Sequence, residues 1–407
     1  MIKTKEKDII KDYEITLLNG EIAKIKDSKK FKALKSSEYN FYFNKSTGFF
    51  VRWGKGDYKN KPKSINKQEM DLYMTWTAIW KEKFDIREFV ADLQTDGSTE
   101  LGLPEILDIE VSTICSKGCS FCYKSNTMNG KYMSTEDFTK IIDKIGPSLT
   151  QVALGIGNID QPNLFEIMDV CRSRGIVPNL TINGALMTKE IYDGLAERCG
   201  AIAVSYYDKD DCFNSVYELA TVRGMKQINI HYFLSEETYE QGMQLIDDIE
   251  NDPRMKDFNA LVFLSAKLRG RAKKNDFHLL SQEKYDKIAL KALYSEKISV
   301  GMDSCSAFKT LEAYKNEPNY DQIYQAVEPC ESSIYSTYIN VDGEYFPCSF
   351  SEGLDHGEKS GDWRKGLNVL ECEDFVKDIW FSEKTRKFAD EVNACRSCGK
   401  SCSIFEI

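Results

Sequence analysis

The sequence predicts an α/β protein: a partial (β/α)6 TIM-like barrel with an N-terminal α+β extension and a small cysteine-rich C-terminal domain. Three observations predict it. Strand-like and helix-like stretches alternate from residue 105 to 302. The residues before them are mixed in texture. Seven of the 13 cysteines fall after residue 303, where the alternation stops. A chain of 407 residues has room for this, at ~100–200 residues per domain.

In the N-terminal extension, residues 1–104, the segment Tyr39–Trp53 reads as a β-hairpin, because aromatics flank a polar turn that ends in Gly48. A loop containing Lys, Gly and Pro follows, from Gly54 to Ser64. Asn66 to Asp92 then reads as one helix. Met70, Tyr73, Met74, Trp76, Trp80, Phe84 and Phe89 are spaced for one face, which is expected to pack on the main domain.

In the barrel, residues 105–302, short β-branched runs stand at 106–111, 151–155, 177–182, 201–205, 227–232 and 259–265, with a seventh candidate at 298–301. Helix candidates lie between them. One opens at Ser134 with Asp137 three residues on, a capping pattern. The others run over 163–174, 189–198, 214–223, 236–249 and 282–294. A strand–helix pitch of roughly 25–35 residues means parallel strands joined by right-handed crossovers. The chemistry of such a barrel sits at the C-terminal ends of its strands.

In the C-terminal region, residues 303–407, a hairpin is expected over 334–350. Asp342-Gly343 between two β-rich arms predicts a two-residue turn.

The composition narrows the function. Acidic residues number 64 against 54 basic, a net charge of −10, which argues against a protein whose task is to grip phosphate backbones. The run Lys267, Arg269, Arg271, Lys273, Lys274 is the local exception and reads as a solvated loop. No stretch approaches the ~20 apolar residues of a membrane span. The N-terminus lacks the apolar core of a signal peptide, so a cytoplasmic location is expected. In that reducing compartment, closely spaced cysteines point to metal rather than to disulfides.

The segment Cys115-Ser-Lys-Gly-Cys119-Ser-Phe121-Cys122 has the spacing Cys-x3-Cys-x2-Cys and follows the first barrel strand. Three thiolates can hold three corners of a [4Fe–4S] cubane and leave the fourth iron open. A structural zinc site would need a fourth ligand, and the three histidines, His231, His278 and His356, are all distant in sequence. An open iron suits a chelating amine and carboxylate, which S-adenosylmethionine (SAM) carries.

This pattern, Cys-x3-Cys-x-(aromatic)-Cys after strand one of a (β/α) barrel, resembles the radical SAM superfamily. The resemblance covers about residues 105–300 and places Phe121 beside the adenine. It implies a [4Fe–4S] cluster on Cys115, Cys119 and Cys122 that cleaves SAM reductively to a 5′-deoxyadenosyl radical, with an electron donor such as flavodoxin or ferredoxin. Where the family carries Gly-Gly-Glu after strand two, this chain reads Gly155-Ile156-Gly157-Asn158. The glutamate is missing, and the SAM amine is expected to meet backbone carbonyls, Asn158 or Asp160. Thr181-Ile-Asn183-Gly184 is similar to the family's Thr-x-Asn-Gly, and Ser205 stands at a polar position of strand four. Lys267-Leu-Arg269-Gly270-Arg271-Ala272 resembles the Gly-Arg-Ala stretch of peptide-modifying members, with a cation such as Lys267 expected on the SAM carboxylate.

Cys330, twelve residues, Gly343, four residues and Cys348 resemble the opening of the SPASM and twitch extensions of that superfamily. Cys305, Cys395, Cys398 and Cys402 complete six candidate ligands. Two fully cysteine-ligated cubanes would need eight thiolates, so one auxiliary iron–sulfur cluster is expected. A second cluster with an open or non-cysteine ligand stays open, as does zinc on four thiolates. Cys171, Cys199, Cys212 and Cys372 read as small hydrophobes or free thiols. The resemblance implies a peptide or protein substrate. Small-molecule or nucleic-acid modification, or a non-enzymatic zinc scaffold, are the alternatives.

Overall fold

A computed structural model describes residues 9–55, 61–95, 99–400, 402 and 404–407. The first eight residues and part of the Gly54–Ser64 loop, both read above from sequence, lie outside the described residues.

The N-terminal extension is a five-stranded antiparallel meander: β1 (Lys11–Thr16), β2 (Ile22–Asp27), β3 (Phe31–Lys35), β4 (Asn40–Asn44) and β5 (Phe50–Trp53). The expected hairpin is β4 and β5, while β1 to β3 were not foreseen. The expected single helix is two, α1 (Lys67–Trp80) and α2 (Ile86–Asp92). Lys81 turns left-handed at φ 54° and ends the first, and the Asp85 carboxylate caps the second. These helices do not pack on the main domain as expected. Trp76, Ile79, Trp80 and Phe89 form a separate small core with Ala33, Tyr42 and Trp53 of the meander. Met70 and Met74 face outward. Aromatic spacing marks a buried face but not which partner buries it.

Seven parallel strands follow: β6 (Ile106–Glu110), β7 (Gln151–Gly155), β8 (Val177–Ile182), β9 (Ile202–Ser205), β10 (Ile228–Leu234), β11 (Ala260–Ser265) and β12 (Ser299–Met302). Between them lie α3 (Thr135–Ile145), α4 (Leu164–Ser173), α5 (Lys189–Arg198), α6 (Lys209–Val216), α7 (Tyr239–Asn251), α8 (Gly270–Lys274) and α9 (Gln282–Leu293). The strands alternate between a face packed under the helices and a face turned to a central cavity, as in β10 with its strict buried–intermediate pattern.

The boundary expected at 302/303 does not divide the sheet. β13 (Ser336–Ile339) pairs in parallel with β6, and β14 (Glu344–Phe346) pairs antiparallel with β13. The sheet runs β12-β11-β10-β9-β8-β7-β6-β13-β14 and ends on a short strand at Leu367–Asn368. The cysteine-rich region therefore covers the β6 edge, which would otherwise stand unpaired. Its turn is also longer than predicted. Asn340 and Glu344 close a three-residue loop in which Gly343, at φ 76°, takes the left-handed position. The Asn340 carboxamide accepts from the amides of Asp342 and Glu344, at 3.0 Å each, and fixes this longer form.

One arginine ties the three regions together. Arg52 on β5 binds Glu105 below β6 at 2.8 Å and Glu331 at 2.6 Å, and lies 4.2 Å over the Tyr335 ring. Burial, then the charges of Glu331 and Glu328, push the Glu105 carboxyl well up.

Candidate functional site

The loop after β6 carries Cys115, Cys119 and Cys122, all partly exposed to the central cavity. The strand ends deliver it to the C-terminal face, and two neighbours hold its backbone. From β7, the Asn158 amide donates to Ile114 O at 3.1 Å. The Asn158 side-chain oxygen accepts from the Ser116 amide at 2.9 Å and the Ser116 hydroxyl at 3.1 Å. Gly157 permits this approach, because a Cβ there would strike Ile114 O and stand 2.6 Å from Cys115 Cβ.

From the other side, the turn into α8 clamps the loop. The Arg271 amide donates to Cys122 O at 2.9 Å. Its guanidinium donates to Cys119 O at 2.7 Å and to Asn126 O at 3.1 Å. Asn275 donates to Ser120 O at 2.7 Å. Gly270, at φ 55°, lies against the carbonyls of Cys122 and Tyr123, where no Cβ would fit. Arg271 Nη2 is buried and lacks a hydrogen-bond partner among the described residues.

The cavity measures about 760 Å³. Phe121, the expected adenine neighbour, stacks on Phe233 at 4.4 Å and 8° and on Tyr207 at 5.8 Å and 22°. Burial pushes the Cys119 thiol up, partly offset by Tyr207 beside it. Gly155, Gly157, Asn183 and Ser205 all line the cavity. Asn183 donates to Gly157 O at 3.3 Å, joining the ends of β7 and β8.

Two expected cofactor contacts are placed differently. Asn158 is buried outside the cavity lining and supports the cysteine loop, and Asp160 is exposed. Lys267 lines the cavity but is ion-paired with Asp303 and stands beside Cys305. Burial works against its charge, yet Asp303 and Cys305 outweigh it and raise the amine. Arg269 in turn holds the carbonyls of Phe350 and Glu352. The basic run is thus only partly a solvated loop: Lys273 and Lys274 are exposed, while the other three cations are engaged inside.

Four further cysteines line the same cavity. Cys305 follows β12, Cys330 precedes β13, Cys348 follows β14, and Cys402 comes from the C-terminal tail. Cys305 and Cys402 share a hydrogen bond that raises the former and lowers the latter. Burial, then the neighbouring thiols, push Cys330 up to about 11 and Cys348 up to about 12. Cys395 and Cys398 sit at the end of the helix Glu383–Ser397 and do not line the cavity. Cys171, Cys199 and Cys212 are buried among apolar side chains, as expected, and Cys372 is partly buried.

Among the described residues no three Cys, His, Asp or Glu side chains converge tightly enough to share one metal ion. A cubane asks for something different, because it spreads its thiolates over separate irons. A loop with three partly exposed thiols and an orphaned Arg271 N–H beside it fits such an anionic cluster. Four thiols in mutual electrostatic range, drawn from four segments, fit a second.

Several cavity residues had no signal in the sequence. Burial pushes Asp108 on β6 up to about 6 against the opposing charge of Lys124. Lys124 pairs with Glu352 and, at 3.5 Å, with Glu110. Burial pushes His231 on β10 down to about 4, opposed by Asp303. These are interior positions of strands and of the cysteine loop. Read along the chain they are single polar residues, and only the closed geometry brings them together.

Residues 330–402 match the family model of SPASM, an iron–sulfur cluster-binding domain. No curated protein matches the chain at a significant level. Among solved structures, SuiB of Streptococcus suis bound to precursor peptide SuiA is 15% identical, with 93% of this chain and 94% of that chain covered and a TM-score of 0.60. SuiB bound to S-adenosylmethionine is 16% identical, covering 90% and 91% at a TM-score of 0.54. The protein anSMEcpe with bound AdoMet is 18% identical, covering 72% and 86% at 0.51. At these identities the likeness is one of fold.

Proposed function

We propose that this chain is a radical SAM enzyme that modifies a peptide or protein. The observation that carries the proposal is the three-cysteine loop, braced on both sides and opening on a cavity that four more cysteines also line. The SPASM match over 330–402 supports iron–sulfur on that second group. The shared fold with SuiB and anSMEcpe supports the whole arrangement.

Cys115, Cys119 and Cys122 would hold a [4Fe–4S] cluster with one open iron, and Cys305, Cys330, Cys348 and Cys402 an auxiliary one. When bound, the first supplies the electron that cleaves SAM reductively to the 5′-deoxyadenosyl radical that abstracts hydrogen from the substrate. The protein's part is placement. Asn158 and Arg271 fix the loop. Gly155 and Gly157 leave this stretch of the cavity wall without side chains, and Gly157 O, which accepts one bond from Asn183 at 3.3 Å, keeps a second lone pair for the SAM amine in place of the missing glutamate. Phe121, Phe233 and Tyr207 offer flat apolar faces for a purine and exclude water. Asn183 and Ser205 supply polar groups on neighbouring strand ends. A cavity of about 760 Å³ has room for SAM together with a peptide side chain. Among the described residues no helix is long and apolar enough to cross a membrane. A flavodoxin or ferredoxin is the electron donor this chemistry calls for.

The substrate claim rests on what the fold relatives were solved with: SuiB with a precursor peptide, and anSMEcpe with a peptide as well as AdoMet. The test is to reconstitute the enzyme anaerobically and incubate it with SAM, dithionite and each short peptide encoded beside its gene. A changed mass or stereochemistry in one peptide is expected. 5′-Deoxyadenosine formed with no change in any of them would refute the peptide assignment and leave SAM cleavage standing.

A further inference from the structure

We infer that Arg271 donates from Nη2 to the cluster on Cys115, Cys119 and Cys122 and so raises that cluster's reduction potential. The inference rests on the functional reading above. A guanidinium has five N–H donors in a rigid fork. In Arg271, Nε is used on Cys119 O and Nη1 on Asn126 O. Those two bonds fix the plane of the fork against the cysteine loop. The backbone amide on Cys122 O and the tight seat of Gly270 remove the freedom to swing away. Nη2 is left buried, with no protein acceptor among the described residues.

A buried charged donor without an acceptor is unfavourable and rare in folded proteins. Here the fork is anchored on the backbone of Cys119 and Asn126, and the residue's own amide on that of Cys122. The group expected on that loop is anionic and carries sulfur acceptors. A fixed cation donating to it stabilises the reduced state, which holds one more negative charge, over the oxidised state. The other cations of the cavity are differently engaged: Lys267 with Asp303, Lys124 with Glu352, and Lys117 over the Tyr207 ring at 5.5 Å. Arg271 is a positioning residue in this account, not one that meets the substrate.

The test is a mediated redox titration of the reconstituted protein, following the EPR signal of the reduced trio cluster. To isolate that signal, the auxiliary ligand Cys348 is replaced by Ala in every sample. Arg271→Gln is expected to keep the iron content and to shift the reduction equilibrium about tenfold toward the oxidised form, ~59 mV for a one-electron couple. Arg271→Lys keeps the charge and loses the fork, so a smaller shift of the same sign is expected. Asn275→Ala removes the bond to Ser120 O without touching charge, and its potential is expected to match the parent's.

If Arg271→Gln fails to fold or to take up iron, Arg271→Lys decides alone, and an unshifted potential overturns the inference. An equal shift in Asn275→Ala also overturns it, since loop support would then be the whole effect. If the parent takes up no cluster on the trio, it is the functional reading that has failed.

Discussion

The two groups of cysteines face one cavity but are built in opposite ways. The trio comes from eight consecutive residues, and its geometry is local: a loop whose carbonyls and amides are held by Asn158, Arg271 and Asn275. The four come from segments spread over nearly a hundred residues of the chain and are positioned by the sheet, with β13 seated on β6. All seven thiols are partly exposed, and burial raises Cys119 in the trio as it raises Cys330 and Cys348 among the four. If each group holds a cubane as proposed, three ligands on a short loop would leave one iron vacant and four ligands from four segments would leave none. The first would then be a centre for binding and the second a centre for holding charge or structure.

Each side of this comparison can be broken separately. The largest effect is expected from Cys348→Ala, which should remove about four irons, one cubane's worth, and abolish peptide product while SAM cleavage at the trio persists. Loss of both activities together would mean that the two centres are not independent. Next comes Gly157→Ala. The new methyl meets backbone at Ile114 O and cannot be accommodated by a side-chain rotation. A cost of about 1–3 kcal/mol in the thermal unfolding of the apoprotein is expected, with reduced iron on the trio and normal iron on the four. Asn158→Ala deletes two hydrogen bonds to Ser116 and should cost about 1–2 kcal/mol in the same measurement. If Asn158 instead meets the SAM amine, the variant would lose SAM affinity without losing stability. The smallest effect is expected from Cys395→Ala and Cys398→Ala, whose iron content should equal the parent's. A loss of iron there would mean that the four-cysteine group has further ligands.

The same contrast explains what could be read from the chain. The trio was legible because its spacing, its aromatic and its place after a strand all lie within one short segment. The parallel strands were legible because period and length are local too: β7 and β8 fall on their expected residues, and the others within two. Two kinds of feature were missed. The first three strands of the meander are local and alternate with period two, but they are rich in Lys, Asp and Glu, and only the last hairpin carries the aromatic runs that mark a strand in the sequence. The pairing of β13 with β6 joins residues more than two hundred apart, and no local pattern encodes it. The protein contacts of Asn158 and Lys267 were missed for a related reason. Both lie at strand ends that face the cavity, and only the packed structure shows that one turns to support a loop and the other to meet Asp303. Arg271 was visible as a motif residue, but the three contacts that define its task come from another part of the chain.

The central claim is that Cys115, Cys119 and Cys122 present a cubane with a vacant iron to SAM. Anaerobic reconstitution of the parent and of the Cys115→Ala, Cys119→Ala, Cys122→Ala triple variant, with iron counted and 5′-deoxyadenosine measured after dithionite and SAM, tests it most directly. The account predicts that the variant loses about four irons and all 5′-deoxyadenosine while keeping the iron of the other four cysteines. A variant that retains its full iron content, or still cleaves SAM, would contradict it.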